Sequence, residues 1–357
     1  MPSLWPQIRW YALDVAALVV GLLFFSKSSW RVSLLDQPLS KPLLLFLAAL
    51  GISLIFALPK LNLFQFVVAG SYWIRLVFLS LIYFILRIFT KTEKKSIAFI
   101  AIAIYTLIAL GQYLLFPDTR QLAWLGFDDH YYRLIGSFFD PNFTGVVMAA
   151  GVLIAIHHFH GWRKLTFIVP LIGLALTFSR SSYLAFLAGM IFLVIKKRWW
   201  PFFGVIPILF ALILAAPKPF GEGVNLTRVY SIESRARTQL NGLQLFFDNP
   251  IFGQGFNTLS LQQPHLSAKL TPNRGGVDNS FIYILAASGI VGFAAFLYFL
   301  WSLWQISAWT PPVQAVLLAF VVHAGFNNSF FYPWIYLLVM VLADYASGRV
   351  PQAQKLT

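Results

Sequence analysis

Long apolar runs separated by short polar segments dominate the chain. Eleven runs span residues 10–25, 42–58, 61–89, 97–116, 143–159, 165–178, 182–195, 199–216, 279–304, 313–326 and 331–346. Many are long enough to cross a bilayer, where an open strand would leave its backbone N–H and C=O groups without partners. The pattern therefore predicts an all-α protein, a polytopic transmembrane bundle of 11 or 12 spans.

Two runs leave details of this bundle open. The first run resembles a signal peptide in length, but residues 24–27 contain no small-x-small cleavage site, so we expect it to remain as an anchor. The run 61–89 carries Arg75 near its middle. It is either one tilted span or a short re-entrant piece followed by one span, and the side of the N-terminus stays open.

Composition agrees with a membrane protein. Of 357 residues, 59% are apolar and 11% are charged, whereas about a quarter of the residues in a soluble domain are charged. Little sequence is left for a soluble domain, so we expect a single membrane domain over residues 1–357. The chain has no cysteine, which excludes disulfides and cysteine-ligated metals. Its net charge of +14 fits basic membrane loops, and we expect no nucleic-acid partner.

Short basic loops predict the orientation. Lys and Arg cluster at 87–95, 163–164 and 196–198, and an even number of crossings separates each cluster from the next. Because short cytoplasmic loops carry an excess of positive charge, all three should face the cytoplasm. The segments 117–142 and 217–277, with the turns near Ser179 and Asn327, then share the outer face, and candidate chemistry is sought there.

The segment 217–277 is the one long polar stretch, and we expect it to form a large external loop. It contains three acidic residues and six basic ones: Lys218, Arg228, Arg235, Arg237, Lys269 and Arg274. The short loops already set the orientation of the protein in the membrane, so the positive charges of this long segment are not needed for it. They are expected to bind an anionic ligand. Ala236, Leu240, Leu243 and Phe247 form an apolar stripe at helical spacing. The loop should therefore be partly helical, with this helix on the membrane or on the ends of the spans.

The outer segments contain none of the familiar phosphate or metal motifs. There is no Walker loop, no HExxH and no spaced acidic pair in them, so no metal, nucleotide or other cofactor is expected. A phosphate would instead be bound by arginine, whose planar guanidinium group binds phosphate oxygens with two hydrogen bonds. Arg180, between two apolar runs, is a candidate, and so are Arg235 and Arg237. The alternatives are a snorkelling arginine at Arg180 and a solvated helix face for the other two.

Four segments resemble the O-antigen ligase and polymerase family of integral membrane glycosyltransferases. They read GSFFDPN at 136–142, TFSR at 177–180, SR at 234–235 followed by DNPIFGQG at 248–255, and DNSF at 278–281 followed by SGIVG at 288–292. Their order and spacing match the family, over about residues 135 to 295. The resemblance implies a bundle of 10 to 12 helices in the bacterial cytoplasmic (inner) membrane. It also implies a polyprenyl-diphosphate-linked glycan as donor, whose lipid diphosphate leaves when an acceptor hydroxyl attacks the anomeric carbon.

The resemblance also assigns candidate site residues. It implies that Arg180 and Arg235 hold the diphosphate, with Arg237 and Arg274 as secondary candidates. The family's proposed base is a histidine, and this chain has Asp278 at that position. A carboxylate near the membrane interface can also accept a hydroxyl proton, because burial raises its pKa.

Several of these positions also have structural interpretations. Asp278 precedes an apolar run and could serve only as a helix N-cap. His265 is a second candidate base, and its structural interpretation is an ordinary loop histidine. Residues 140–142 are expected to start a helix, with Asp or Asn as cap and Pro in the first turn. His323, Asn327 and Asn328 are expected to bond helix to helix, with lining of the cleft as the alternative. Gly289 and Gly292 are expected to allow close packing of helices.

The sequence therefore predicts a glycosyltransferase with a glycan or lipid acceptor, surrounded by membrane lipids. A polymerase of surface polysaccharide is preferred to a ligase, because the missing histidine argues against a close copy of the ligases. Two alternatives remain. A peptidoglycan polymerase of the shape, elongation and division class is one, although its motifs are not found in order. A non-enzymatic carrier of lipid-linked oligosaccharides is the other. A carrier should have charged or helix-breaking residues near the middle of its spans, and apart from Arg75 the apolar runs have almost none there.

Overall fold

A computed structural model describes residues 37–86, 91–121, 130–158, 165–197, 203–219, 222–227, 229–262 and 276–348, with five positions between 15 and 22. Within these ranges the regular structure is helical, apart from one isolated bridge between Asp118 and Tyr131. The all-α prediction is confirmed for this part of the chain.

Twelve α-helices are numbered here in chain order. They are α1 Ser40–Phe56, α2 Leu63–Ile85, α3 Lys91–Leu115, α4 Pro141–His158, α5 Ile168–Leu176, α6 Arg180–Lys197, α7 Val205–Ala215, α8 Tyr230–Asp248, α9 Leu259–Gln262, α10 Ser280–Ile306, α11 Pro311–Ala324 and α12 Pro333–Ser347. Ten of the eleven apolar runs each coincide with one helix, because their length and hydrophobicity favour a buried or lipid-facing helix. The first run lies almost entirely outside the described residues.

Three helical stretches are long and apolar enough to cross a membrane by length and composition. They are Leu63–Ile85, Ala98–Leu115 and Ser280–Trp309, and six further apolar helices have 10–17 residues. A polytopic bundle agrees with these lengths. Since α2 runs unbroken from Leu63 to Ile85 through Arg75, the described part of the run 61–89 forms one helix rather than a re-entrant piece and a span. The number of crossings and the side of the N-terminus remain predictions.

Helices α4, α6 and α11 form the centre of the bundle. Leu153, Phe186 and Phe320, one from each helix, are completely buried there. Gly189 of α6 lies against the backbone carbonyl of Ala315 on α11, where a side chain would not fit. Small residues of this kind let helices approach closely in membrane proteins. Around this centre, α1 and α8 pack on α10, and α12 packs on α2.

Helix α10 is kinked at Gly289, and the segment 250–255 fills the break. The N–H groups of Gln254 and Gly255 each donate a 2.9 Å hydrogen bond to the carbonyls of Ala286 and Ala287. In return, the N–H group of Ile290 donates to the Pro250 carbonyl at 2.8 Å. Backbone groups freed by a kink need new partners inside a membrane protein, and this segment supplies them. The second half of the third motif and the fourth motif therefore form one structural unit.

This unit explains the glycine at the kink. Gly289 has φ of 62° and ψ of −163°, a region open essentially to glycine alone. A Cβ at this position would also collide with the backbone of Ile251. Gly289 was expected to let two helices pack closely, and this is wrong in its partner, because the segment that packs against Gly289 is the loop at 250–255.

Replacing Gly289 by alanine is therefore expected to destabilise the protein by about 1–3 kcal/mol or more, from backbone strain and the collision together. Thermal unfolding of the purified protein in detergent measures this as a lower melting temperature. Gly70→Ala is the matched control, since a Cβ at Gly70 in α2 meets open space and alanine favours a helix interior. Equal melting temperatures for the two variants would contradict the role given to Gly289.

The segment 217–277 contains helix α8, which spans Tyr230–Asp248 and is followed by Asn249. Its buried face carries Gly242 and Leu245, and Gly242 lies against Val277 and Ile282 near the start of α10. Leu240 and Phe247 of the apolar stripe point away from this contact and are 62% and 72% exposed. These two side chains therefore do not rest on the ends of the spans. Contact with the membrane surface remains the prediction for them, as does the external position of the segment.

Candidate active site

Four segments that are distant in the sequence meet at one end of the bundle. They are the turn before α6, the turn after α11, the start of α10 and the first half of α8. Asn327, in the turn after α11, bonds to two others. Its Nδ2 donates a 2.9 Å hydrogen bond to Oγ of Ser181 in the first turn of α6, and its Oδ1 accepts a 3.2 Å bond from Arg235 Nη2 of α8. Asn279 Nδ2 connects the start of α10 by donating to the Gly325 carbonyl at 2.9 Å. The motifs recognised in the sequence therefore converge in space.

A buried arginine fixes the turn that presents Arg180. Phe178 in this turn is buried and has a left-handed conformation, with φ of 48°. Arg133, itself buried, donates from Nε to the Thr177 carbonyl at 2.9 Å and from Nη2 to the Phe178 carbonyl at 3.3 Å. Carbonyls at the end of a helix need such donors, and here Arg133 satisfies those that follow α5. The sequence analysis did not single out Arg133, whose partners lie 44 and 45 residues further along the chain.

Arg180 and Arg235 place two positive charges at this end of the bundle. Arg180 Nη1 donates to the Leu226 carbonyl at 3.1 Å, and Arg235 is held by Asn327. The two guanidinium groups are close enough to interact electrostatically, and both side chains are partly buried. Arg180 is also the first residue of α6, where the helix dipole adds partial positive charge. Two cations and a helix N-terminus together suit an anionic ligand.

A buried hydrogen-bond network around His323 holds Asn327, which in turn bonds to Arg235. His323 is completely buried, and its Nδ1 lies 2.6 Å from Ser329 Oγ. Its Nε2 lies 3.1 Å from Asn327 Nδ2 and 3.5 Å from Ser182 Oγ. Of the three residues expected to bond helix to helix, Asn327 bonds to Ser181 of α6. The nearest partners of His323 lie in its own turn, and Asn328 lines a cavity, which is the alternative given for it. Asn327 has a further role, because the same amide positions Arg235.

Residues 140–142 have the structural role expected of them. Asp140 Oδ1 accepts hydrogen bonds from the N–H groups of Asn142 at 2.6 Å and Phe143 at 3.3 Å, and α4 begins at Pro141. Asp140 is therefore the cap of α4, as predicted. Asn142 Oδ1 also accepts a 2.8 Å bond from Ser179 Oγ, which ties this cap to the turn before α6.

The alternative interpretation of Asp278 as a helix cap is wrong. The neighbouring residue, Asn279, caps α10, since its side chain accepts hydrogen bonds from the N–H groups of Phe281 at 2.8 Å and Ile282 at 3.2 Å. The Asp278 carboxyl group is largely buried, and this burial raises its pKa to about 6, although nearby Arg235 opposes the rise and Asp140 adds to it. A carboxyl group with a pKa close to neutral is well matched to accepting a proton during a reaction.

The other candidates fall outside this cluster or outside the described residues. Arg237 is exposed, and it lies two positions after Arg235 on α8, so the two side chains leave the helix in different directions. This placement favours the solvated helix face for Arg237. His265 and Arg274 lie in 263–275, which the structure does not describe.

The described part of the chain is therefore an apolar helical bundle that brings two partly buried arginines and a largely buried carboxyl group together at one end. Compared with known families, residues 165–297 match the family described as O-antigen ligase. The match confirms the resemblance found in the sequence, and its interval contains Arg180, Arg235 and Asp278. No curated protein gives a significant match to the chain. The family points to a membrane enzyme that transfers glycans.

Proposed function

We propose that this protein transfers a glycan from a polyprenyl-diphosphate carrier to an acceptor hydroxyl at the outer face of the bacterial cytoplasmic membrane. The observation that carries the proposal is the meeting of Arg180 and Arg235 beside Asp278, within residues that match the O-antigen ligase family. Two fixed cations fit the two phosphates of such a donor. The buried carboxyl group fits the proton that an acceptor hydroxyl must lose.

In the proposed reaction, the acceptor oxygen forms a bond to the anomeric carbon while the bond from that carbon to the diphosphate breaks. The hydroxyl proton goes to Asp278, and polyprenyl diphosphate leaves with the bonding electrons. Negative charge grows on the leaving group, so fixed guanidinium groups stabilise the transition state more than the bound donor. This is why we propose transfer without a metal ion.

A polymerase is the preferred form of this activity, with a second lipid-linked glycan as acceptor. The preference rests on Asp278, which occupies the position where the O-antigen ligase family usually has a histidine. A ligase that transfers to a lipid or protein acceptor is the alternative. Both forms use the same donor and the same leaving group.

Purified protein in detergent, given polyprenyl-diphosphate oligosaccharide and EDTA, tests the proposal. We expect release of polyprenyl diphosphate and, for a polymerase, lengthening of the glycan on the lipid that remains. Release that requires lipid A core or a protein acceptor would favour the ligase. Absence of release with every acceptor would overturn the proposed function, and release that EDTA abolishes would overturn transfer without a metal.

A further inference from the structure

A cavity of about 280 Å³ lies next to the cluster described above. Its walls include Tyr72 and Arg75 from α2, Asn257 from the segment before α9, Tyr283 from α10, and Asn328 from the turn after α11. Neither Arg180 nor Arg235 lines it, so it is separate from the proposed diphosphate site. The volume is near the lower end of the range for small-molecule sites, about 300 Å³.

The wall chemistry suits a sugar. Aromatic rings from Tyr72, Tyr283 and Phe256 provide flat apolar surfaces, and the amides of Asn257 and Asn328 can both donate and accept hydrogen bonds. The C–H face of a sugar ring can pack on the aromatic rings, and its hydroxyl groups can form hydrogen bonds with the amides. Pockets that combine aromatic walls with a few polar groups are typical of small-molecule sites.

Arg75 is the one charged side chain among the described residues that line this cavity. It is 8% exposed, lies in a helix long enough to span a membrane, and stacks its guanidinium carbon 4.6 Å from the centre of the Tyr72 ring. A charge inside a membrane helix is costly and usually marks a functional position. Its five N–H donors favour electron-rich groups such as sugar hydroxyls or a carboxylate.

The cavity and the carboxyl group share the same two short segments. Gly276 lines the cavity two residues before Asp278. Asn328 lines it directly after Asn327, the residue that holds Arg235. Asp278 does not line the cavity itself, but two of the segments that do line it lead directly to Asp278 and to Asn327. A sugar in the cavity would therefore lie near Asp278 and apart from Arg180 and Arg235. A general base must have the hydroxyl group that it deprotonates within reach, and a sugar bound in this cavity could bring its hydroxyl group close to Asp278.

We infer that the Arg75 cavity binds the terminal sugar of the acceptor glycan and presents its hydroxyl group to Asp278. The inference rests on the proposed function, and it adds the location of the second substrate. Arg75 acts here as a specificity-determining residue for the acceptor. The donor diphosphate is held by other residues, so the two substrates should respond to different substitutions.

The test measures binding of two probes to the purified full-length protein. One probe is the lipid-free oligosaccharide released by mild acid from the glycolipid donor of the same cells, and the other is polyprenyl diphosphate. Arg75→Gln is expected to weaken oligosaccharide binding at least tenfold and to leave polyprenyl diphosphate binding unchanged. Asn328→Ala is a second, smaller change with the same expected pattern. Arg120→Gln is the matched control, since Arg120 is exposed and pairs with Asp118 at 2.7 Å away from the cavity lining.

The outcomes separate this inference from the proposed function. Unchanged oligosaccharide binding in both variants, or no binding by the wild-type protein, would overturn the cavity assignment. Loss of diphosphate binding in Arg75→Gln with a normal melting temperature would also overturn it. The proposed function fails separately, if wild-type protein releases no polyprenyl diphosphate from the glycolipid with any acceptor.

Discussion

Arg235→Ala is expected to lower kcat/KM for glycan transfer at least tenfold, with normal insertion and folding of the protein. Arg235 is held by Asn327 and interacts electrostatically with both Arg180 and Asp278, so its charge belongs to the centre of the cluster. Loss of one charge contact to the leaving diphosphate is worth on the order of 1.4 kcal/mol, a factor of ten in rate, and removal of a preorganised donor can cost about a hundredfold or more. Transfer assays at subsaturating donor concentration measure this loss.

Arg180→Ala is expected to behave in the same way, because Arg180 lies on the other segment that faces the proposed diphosphate. Arg120→Ala serves as the control for removing an arginine, since Arg120 is exposed and forms an ion pair with Asp118. Wild-type turnover in both the Arg180 and the Arg235 variants would contradict their assignment to the diphosphate.

Asp278→Asn is expected to reduce transfer by about a hundredfold to ten-thousandfold, the usual contribution of a general base. The base must be ionised to accept a proton, and burial raises the pKa of Asp278 to about 6. In the wild-type enzyme, kcat/KM should therefore rise with pH up to about 6 and then level off. This acidic limb should be missing from the residual activity of Asp278→Asn.

The pH profile of an arginine variant checks the same assignment. Arg235 lowers the pKa of Asp278, so the acidic limb of Arg235→Ala should move to higher pH. An unchanged limb and rate in Asp278→Asn would place the base elsewhere, and His265 is the next candidate from the sequence.

The helices could be predicted because their signal is local. Ten apolar runs coincide with helices, since length and hydrophobicity are read within a single segment. The start of α4 was also predictable, because Asp140 and Pro141 act on their own first turn. Arg180 and Arg235 were recognised through motifs, and the structure brings both side chains to the same end of the bundle.

The parts that could not be predicted depend on contacts between distant segments. The pairing of 250–255 with the kink at Gly289 joins backbone groups that no pattern connects. In the sequence, nothing distinguishes Arg133 from other loop arginines, because the carbonyls that it binds after α5 are distant along the chain. Asn279 and Asp278 are both good capping residues, and only the backbone geometry at the start of α10 decides between them. Arg75 stood out as a charge within an apolar run, but the cavity around it requires the other helices.

Binding of sugar-free polyprenyl diphosphate to the purified protein tests the central claim most directly, because it needs neither an acceptor nor turnover. The wild-type protein and Arg120→Ala should bind it equally well, and Arg180→Ala and Arg235→Ala should each bind at least tenfold more weakly. Binding of wild-type strength in both Arg180→Ala and Arg235→Ala would contradict the claim that these two arginines hold the diphosphate.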